Sequence, residues 1–344
     1  MLTPMRAVML HGPGDLRVED VPDPAPGPGE VVVRVLAAVT CATDAKMAAA
    51  GAHPALGPLP AGLGHEVAGV VERADGGVAW PRPGDAVVVA NSAPCGACRA
   101  CRQGRPNLCA DMTYLTGAFA ERLRVPARIV ARNVHALPEG MDPAVAATAE
   151  PLACAIHSAG RAGDVAGRVA LVLGGGFQGR MLAGLLARRG AEVHLADPHA
   201  GRRDAALRAG AAAVHDAPRD AAAARELAGA LPGGAGADLV VEAVGRPQTW
   251  AIAPLLARAG GEVLLHGGLP SGAEVAIPAH DIHYREVTVR GAYHHTPGAF
   301  AEALRVLRDP PFDVSDVLRE PIGLDEVPEV LRVSRGEKHP VTPG

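Results

Sequence analysis

Four of the chain's six cysteines fall in one short stretch, PCGACRACRQGRPNLC, spaced Cys95-x2-Cys98-x2-Cys101-x7-Cys109. No other feature of the 344 residues restricts local folding as strongly. Two-residue gaps let neighbouring thiolates converge on one ion, and the longer gap lets the chain loop back with the fourth. Four cysteine ligands leave no coordination position open, which is the pattern of a structural tetrahedral zinc site. Iron–sulfur runs share the first two gaps but close with three residues and a following proline. Here seven residues intervene and Ala110 follows. A structural zinc lobe over about residues 91–112 is the expectation. Clustered thiols in a reducing compartment go with metal or catalysis rather than with disulfides.

Charge and hydropathy exclude several classes. The net charge is −4 and the pI about 6.4, so there is no electrostatic footprint for nucleic acid or an acidic membrane surface. No apolar run approaches the ~18 residues of a membrane span. The N-terminal MLTPMRAVMLHGPG lacks the charged-then-apolar layout of an export signal, so a cytoplasmic location is expected. The length predicts two domains.

The pattern changes along the chain. Up to about residue 150, short β-type runs such as EVVVRVLAAV, HEVAGVVERA, GDAVVVAN and RIVARNVHALP alternate with Pro- and Gly-rich turns. From about 165 the order becomes strand, helix, strand: GRVALVLGGG, RMLAGLLARRG, AEVHLAD, GRRDAALRAG, then ADLVVEAVG, GEVLLHGG and VTVRGAY. Such alternation implies an α/β unit, a parallel sheet covered by helices on both faces. AAAARELAGALPGGAGA reads as helix plus turn and PGAFAEALRVLRD as a helix, while the last thirty-odd residues are mixed.

A second constellation lies around the first. VTCATDAK holds Cys41, Thr43, Asp44 and Lys46; GLGHEVAGVV holds His65 and Glu66; ATAEPLACAIHSAG holds Glu150, Cys154 and His157. Singly each residue is weak evidence, since a lone cysteine usually packs as a small hydrophobe. Together a Cys, a His and two carboxylates suit a second zinc with three protein ligands and one open position.

CATD, GHE, the four-cysteine lobe and the later Gly-rich turn, in that order, resemble the zinc-containing medium-chain dehydrogenase/reductase superfamily of alcohol, polyol and threonine dehydrogenases. The resemblance runs from residue 1 to near 340. It implies a GroES-like β-rich catalytic domain from residues 1–151 and 293–344, a Rossmann doubly wound domain from 152–292, and an active site in the cleft between them. It also implies that Cys41 and His65 are catalytic zinc ligands. Glu66 and Glu150 would then be the third ligand and a carboxylate that approaches or exchanges at the metal. Ethanol-type relatives carry Cys where this chain has Glu150, so EPLA points to a hydroxyl-rich substrate. Two zinc ions per chain and a homodimer or homotetramer are further implications.

LVLGGGFQG carries G-x-G-x-x-G as Gly174, Gly176 and Gly179, with Phe177 and Gln178 inside the turn, directly after a strand and before a helix. That context makes it a pyrophosphate-binding turn. Asp197 ends the next strand, where an acidic group hydrogen-bonds the ribose 2′-hydroxyl and repels a 2′-phosphate, favouring NAD. Arg202 and Arg203 either offset that repulsion, allowing NADP, or face solvent on the following helix.

An alcohol gives up hydride only as its oxygen becomes an alkoxide, and a zinc ion lowers the pKa of a bound hydroxyl. By resemblance, Thr43 takes the substrate proton and passes it towards the cofactor ribose. Where many relatives finish this relay with His, this chain has Lys46. Asp44 either supports the His65 imidazole or caps a turn. Cys154 reads as core packing, His157 as structural, and Glu242 as a strand-end acid near the nicotinamide without a chemical role. His294 and His295 either bond a polyol or cap the helix of TPGAFAEAL.

The expected activity is oxidation of a secondary alcohol in a polyol, sugar or aminocyclitol with NAD. A threonine-type enzyme of the same family is the alternative. A zinc-free enone or quinone reductase is disfavoured by the complete ligand set. A non-catalytic zinc module is disfavoured by the acidic charge and the nucleotide turn.

Overall fold

The chain opens with an antiparallel hairpin of β1 (Met5–Gly12) and β2 (Asp15–Val21). The valine-rich run becomes β3 (Val31–Val39), almost wholly buried, and α1 (Ala42–Ala50) follows with Cys41 as its N-cap. β4 (Ala61–Gly62) joins β1, while β5 (Val67–Ala74) and β6 (Ala86–Val89) extend the sheet from β3. β7 (Ser92–Ala93) pairs with β8 (Thr113–Tyr114), and between them lie α2 (Arg99–Arg102) and the cysteines. β9 (Arg122–Val125) returns to β3 and leads into α3 (Ala127–Asn133), β10 (Val134–Ala136) and α4 (Pro143–Ala147). RIVARNVHALP, expected as a strand, is therefore helical in its first half. Pro126 supplies the N-cap, and burial of Ile129, Val130 and Asn133 on one helical face overrides the β-branched composition.

This computed structural model describes residues 4–310, 317–333 and 337–344. Contacts divide the chain into two units, exchanging between Ala153 and Cys154 within α5 (Ala149–Arg161) and again between His295 and Thr296. In the first unit the larger sheet runs β10-β6-β5-β3-β17, with β9 also on β3, and β17 (Pro340–Val341) comes from the C-terminus. Val33, Val67, Val87, Phe119 and Ile129 belong to its continuous apolar core. α11 (Pro297–Val306) and α12 (Val327–Val333) also belong to this unit. Of the mixed C-terminal stretch, 311–316 and 334–336 lie outside the described residues.

The second unit alternates as its sequence pattern predicts. Its elements are β11 (Val169–Leu173), α6 (Phe177–Arg188), β12 (Glu192–Ala196), α7 (Ala200–Arg208), β13 (Ala213–His215) and α8 (Ala221–Ala230). β14 (Ala237–Glu242), α9 (Pro247–Leu256), β15 (Ala257–Leu265), α10 (Ala279–Tyr284) and β16 (Thr288–Gly291) complete it. Every pairing is parallel, in the order β13-β12-β11-β14-β15-β16. The order reverses between β11 and β14, the place where open α/β sheets bind nucleotides. Among the described residues no helix is long and apolar enough to cross a membrane.

Candidate metal centres and nucleotide turn

α1 begins just after β3 ends, so its N-cap and first turn carry Cys41, Thr43 and Asp44 towards the residues immediately before β5, His65 and Glu66. Asp44, fully buried, ties this corner together. Its Oδ2 accepts from the Cys41 N–H at 3.0 Å, and its Oδ1 accepts from the Gly64 N–H at 3.2 Å and lies 2.9 Å from His65 Nδ1. It therefore performs both roles anticipated for it, capping α1 and supporting the imidazole. With Nδ1 engaged, Nε2 of His65 is the nitrogen left for a metal, the usual arrangement of a carboxylate-supported histidine ligand.

Ligand atoms of Cys41, His65 and Glu66 lie within 4.8 Å of one another. The fit to zinc is chemical as well as geometric. Burial opposes ionisation of Cys41, yet the charge of Lys338 and the bond from His65 bring its thiol down to about 7. Glu150 is not in this convergent set; its Oε1 accepts from Asn91 Nδ2 at 2.9 Å. Thr43 is half-buried and Lys46 exposed on the same helix.

One residue of this corner is absent from the sequence-based expectation. Lys338, 4% exposed, places Nζ 2.5 Å and 2.6 Å from the two oxygens of Glu66 and donates to the Thr40 carbonyl at 3.2 Å. Burial works against its charge, but Glu66 and Cys41 outweigh it and raise its pKa. A signal existed in the composition. Lys46 and Lys338 are the only lysines among 33 Lys and Arg residues, and both map to this region. Arginine is the planar fork for bidentate surface pairs; lysine is the compact point charge that fits a closed corner.

In the lobe all four sulfurs lie within 4.8 Å of one another. Backbone amides already point at them: Cys98 and Ala97 donate to Cys95 Sγ at 3.3 and 3.4 Å, and Cys95 donates to Cys109 Sγ at 3.2 Å. Backbone donors from Cys101 and Ala110 draw the Cys98 thiol down to about 6, while desolvation and neighbouring Cys98 push Cys101 up to about 12. Crowded thiolates of this kind are resolved by a divalent cation, so the site fits a structural zinc.

In the second unit the turn after β11 keeps each glycine for a different reason. Gly174 has φ +101°, and a Cβ on Gly179 would sit 1.7 Å from the Gly174 carbonyl oxygen. Gly176 caps α6 and has open space, room for a pyrophosphate against the helix N-terminus. Phe177 is buried, with Gln178 half-buried beside it. Asp197, 2% exposed, accepts from the Gly175 N–H and the His199 N–H, each at 2.8 Å. The two arginines do not simply face solvent. Arg202 Nη1 lies 3.8 Å from Asp197 Oδ2, while Arg203 donates to the Asp197 carbonyl at 2.8 Å and pairs with Asp216.

The hydroxyl of Thr296, not either histidine, caps α11. His295 is 2% exposed and His294 adopts φ +59°, uncommon for a non-glycine residue. Glu242 is fully buried; Oε1 accepts from Val244 N–H, Gly245 N–H and Thr249 Oγ1, joining the β14 end to α9. Cys154 is half-buried and in no disulfide, and Ser158 Oγ lies 2.7 Å from Nδ1 of His266.

Known proteins resemble this chain over most of its length. Residues 27–139 match the family model for the alcohol dehydrogenase GroES-like domain, and 179–309 match that for zinc-binding dehydrogenase. Sorbitol dehydrogenase of Bombyx mori is 31% identical, with 85% of this chain and 84% of that protein covered. L-threonine 3-dehydrogenase of Bacillus velezensis is 31% identical, with 80% and 79% covered. A zinc-binding dehydrogenase from Sinorhizobium meliloti 1021, solved with NADP, is 32% identical and superposes with a TM-score of 0.88 over 99% of this chain and 100% of that one. The chain belongs to the zinc-containing medium-chain alcohol and polyol dehydrogenase family.

Proposed function

We propose that this protein oxidises, reversibly, a secondary alcohol of a polyol, sugar or aminocyclitol with NAD, and that Cys41, His65 and Glu66 hold its catalytic zinc. The observation that carries the reading is the buried corner in which Asp44 orients His65 and Lys338 orients Glu66. Zinc, when bound, supplies Lewis-acid polarisation of a hydroxyl oxygen, and the nicotinamide accepts hydride. The chain's own groups do the rest. Thr43, on the first turn of α1, accepts the substrate proton at its hydroxyl oxygen and passes it on. Lys46, three residues further along α1, is the relay's exposed end and binds an anionic or hydroxyl group as a donor. Glu150, held by Asn91, stands by as the second carboxylate. Cys95, Cys98, Cys101 and Cys109 hold the structural zinc; Gly174, Gly176, Phe177, Gln178 and Gly179 cradle the dinucleotide phosphates. The assembly is a homodimer or homotetramer, as in the family resemblance.

Substrate class follows from composition and chemistry together. A pocket for ethanol-type alcohols needs an aromatic and aliphatic lining, and this chain has four Phe, three Tyr and two Trp. A hydroxyl-rich ring needs fixed donors and acceptors, and an unpaired buried polar group costs ~1–3 kcal/mol. Sites built on hydrogen bonds therefore reject analogues lacking a hydroxyl far better than apolar pockets reject extra methylenes. Sorbitol and galactonate dehydrogenases among the relatives support the polyol reading. The threonine dehydrogenase supports the alternative. On cofactor choice, Asp197 supports NAD; Arg202 beside it and the relative solved with NADP favour a second reading, use of NADP.

The test is kcat/KM for an inositol-type amine, sorbitol, threonine and 1-butanol with each cofactor. A cyclic or linear polyol should exceed butanol by at least ~100-fold, or ~2.7 kcal/mol in transition-state binding. Butanol matching every polar compound overturns the hydroxyl-rich pocket. Threonine leading overturns the polyol assignment and leaves the zinc chemistry standing.

A further inference from the structure

The cysteine lobe is gripped from outside by residues that are not ligands. α3 carries Arg128 and Arg132 four residues apart, so both project from one side of the helix. They reach opposite ends of the lobe. Arg132 Nη2 donates to the Cys95 carbonyl at 3.3 Å, and its guanidinium lies where a Cβ on Gly96 would come within 2.8 Å. Arg128 donates to the Asp111 carbonyl at 2.7 Å and to Asp111 Oδ2 at 3.0 Å, two residues beyond Cys109. The bond to Asp111, then the charges of Asp111, Cys95 and Cys109, hold its pKa above the ordinary arginine value. A third guanidinium, Arg102, donates to the Ala97 carbonyl inside the loop.

The chemistry explains why cations gather there. Four thiolates around a divalent cation leave a net charge of −2, and all four cysteines of this site are only partly buried. No carboxylate lies between Cys95 and Cys109, while Arg99, Arg102 and Arg105 do. The Arg128–Asp111 pair cannot matter for its own sake: its side chains are 34% and 69% exposed, and such surface pairs are worth ~0–1 kcal/mol. What distinguishes Arg128 and Arg132 from ordinary surface arginines is that they bond the two ends of a loop whose middle is an anion.

We propose that Arg128 and Arg132 form a charge-compensating clamp that holds the lobe closed on its metal, so that α3 governs zinc retention without taking part in turnover. The inference rests on the reading of the four cysteines as a zinc site. Groups around a metal's ligands typically change its affinity ~10–100-fold, and partial exposure puts these two at the lower end.

The experiment uses the intact holoenzyme and follows zinc release to a chromogenic chelator, with zinc per chain measured by elemental analysis. R128Q and R132Q keep a hydrogen-bonding side chain and lose the charge; both positions are solvent-accessible, so folding is preserved. Each should release one of two zinc ions ~10-fold faster than the parent, with the double variant faster still and R128K/R132K close to the parent. D111N, which removes the surface pair but not the guanidinium, should change the rate less than twofold. Release in the parent should also quicken as salt rises. Unchanged release in R128Q/R132Q, or a D111N effect equal to that of R128Q, overturns the clamp. If the parent holds one zinc and C98S does not alter zinc content, the cysteine assignment itself has failed, an outcome separate from failure of the clamp.

Discussion

The two cysteine-bearing sites of the first unit are built on opposite plans. The lobe draws all four sulfurs from a span of fifteen residues, leaves them partly exposed, and relies on backbone amides and arginines for charge balance. The other corner takes Cys41 and Asp44 from the start of α1, His65 and Glu66 from the residues just before β5, and Lys338 from 272 residues beyond Glu66. Apart from the half-buried Cys41 its groups are buried, and each charged or polar one answers another: His65 to Asp44, Glu66 to Lys338. The difference teaches that a metal site built for stability can be local and wet. On the assignment proposed above, the one that serves chemistry is assembled from distant segments, because a closed corner strengthens electrostatics more than a wet loop does.

Several substitutions break or sharpen that contrast. The largest effect is expected for His65→Ala, which should lower kcat/KM at least ~10^4-fold, ~5 kcal/mol in transition-state stabilisation, while the thermal midpoint stays near that of the parent. Preserved turnover would remove the corner from the chemistry.

Lys338→Met leaves Glu66 buried without its partner, an error that costs ~3–5 kcal/mol when one member of a buried pair is removed. Denaturant unfolding should report that loss, and adding Glu66→Gln should recover much of it. Strictly additive losses in the double variant would mean the two groups are not coupled.

For the lobe, Cys98→Ser should cost one zinc per chain and ~3 kcal/mol, visible as a midpoint lowered by roughly 4 °C. The kcat of the protein that remains folded should stay within about threefold of the parent, a margin of under ~1 kcal/mol. One zinc, or iron, in the parent would end the two-site comparison.

The smallest effect concerns the second unit. Asp197→Ser should shift the NAD to NADP ratio of kcat/KM ~10-fold towards NADP, ~1.4 kcal/mol. A parent that already prefers NADP would show that Arg202 and Arg203, drawn in beside Asp197, dominate recognition of the ribose.

Much of this is legible in the sequence, for a physical reason in each case. The parallel sheet announces itself because strands buried on both faces read as unbroken apolar runs separated by helical periodicity. The nucleotide turn is legible because Gly174 and Gly179 answer to sterics that no other residue meets. The helix at Ala127–Asn133 was not, since its β-branched residues resemble a strand until packing chooses the face. Nor was the capping hydroxyl of Thr296 separable from its histidine neighbours by pattern alone.

Local spacing by itself determined the four-cysteine lobe, the glycine turn, the α/β alternation and the Cys-x-Thr-Asp and Gly-His-Glu segments, because each depends on contacts a few residues apart. Only the tertiary structure decided which carboxylate joins Cys41 and His65, that Lys338 closes the corner, and that two arginines on α3 span the lobe. Those are pairings across tens to hundreds of residues, and electrostatic partners at such separations are set by how the sheets bring the segments together, not by any pattern the chain carries along its length.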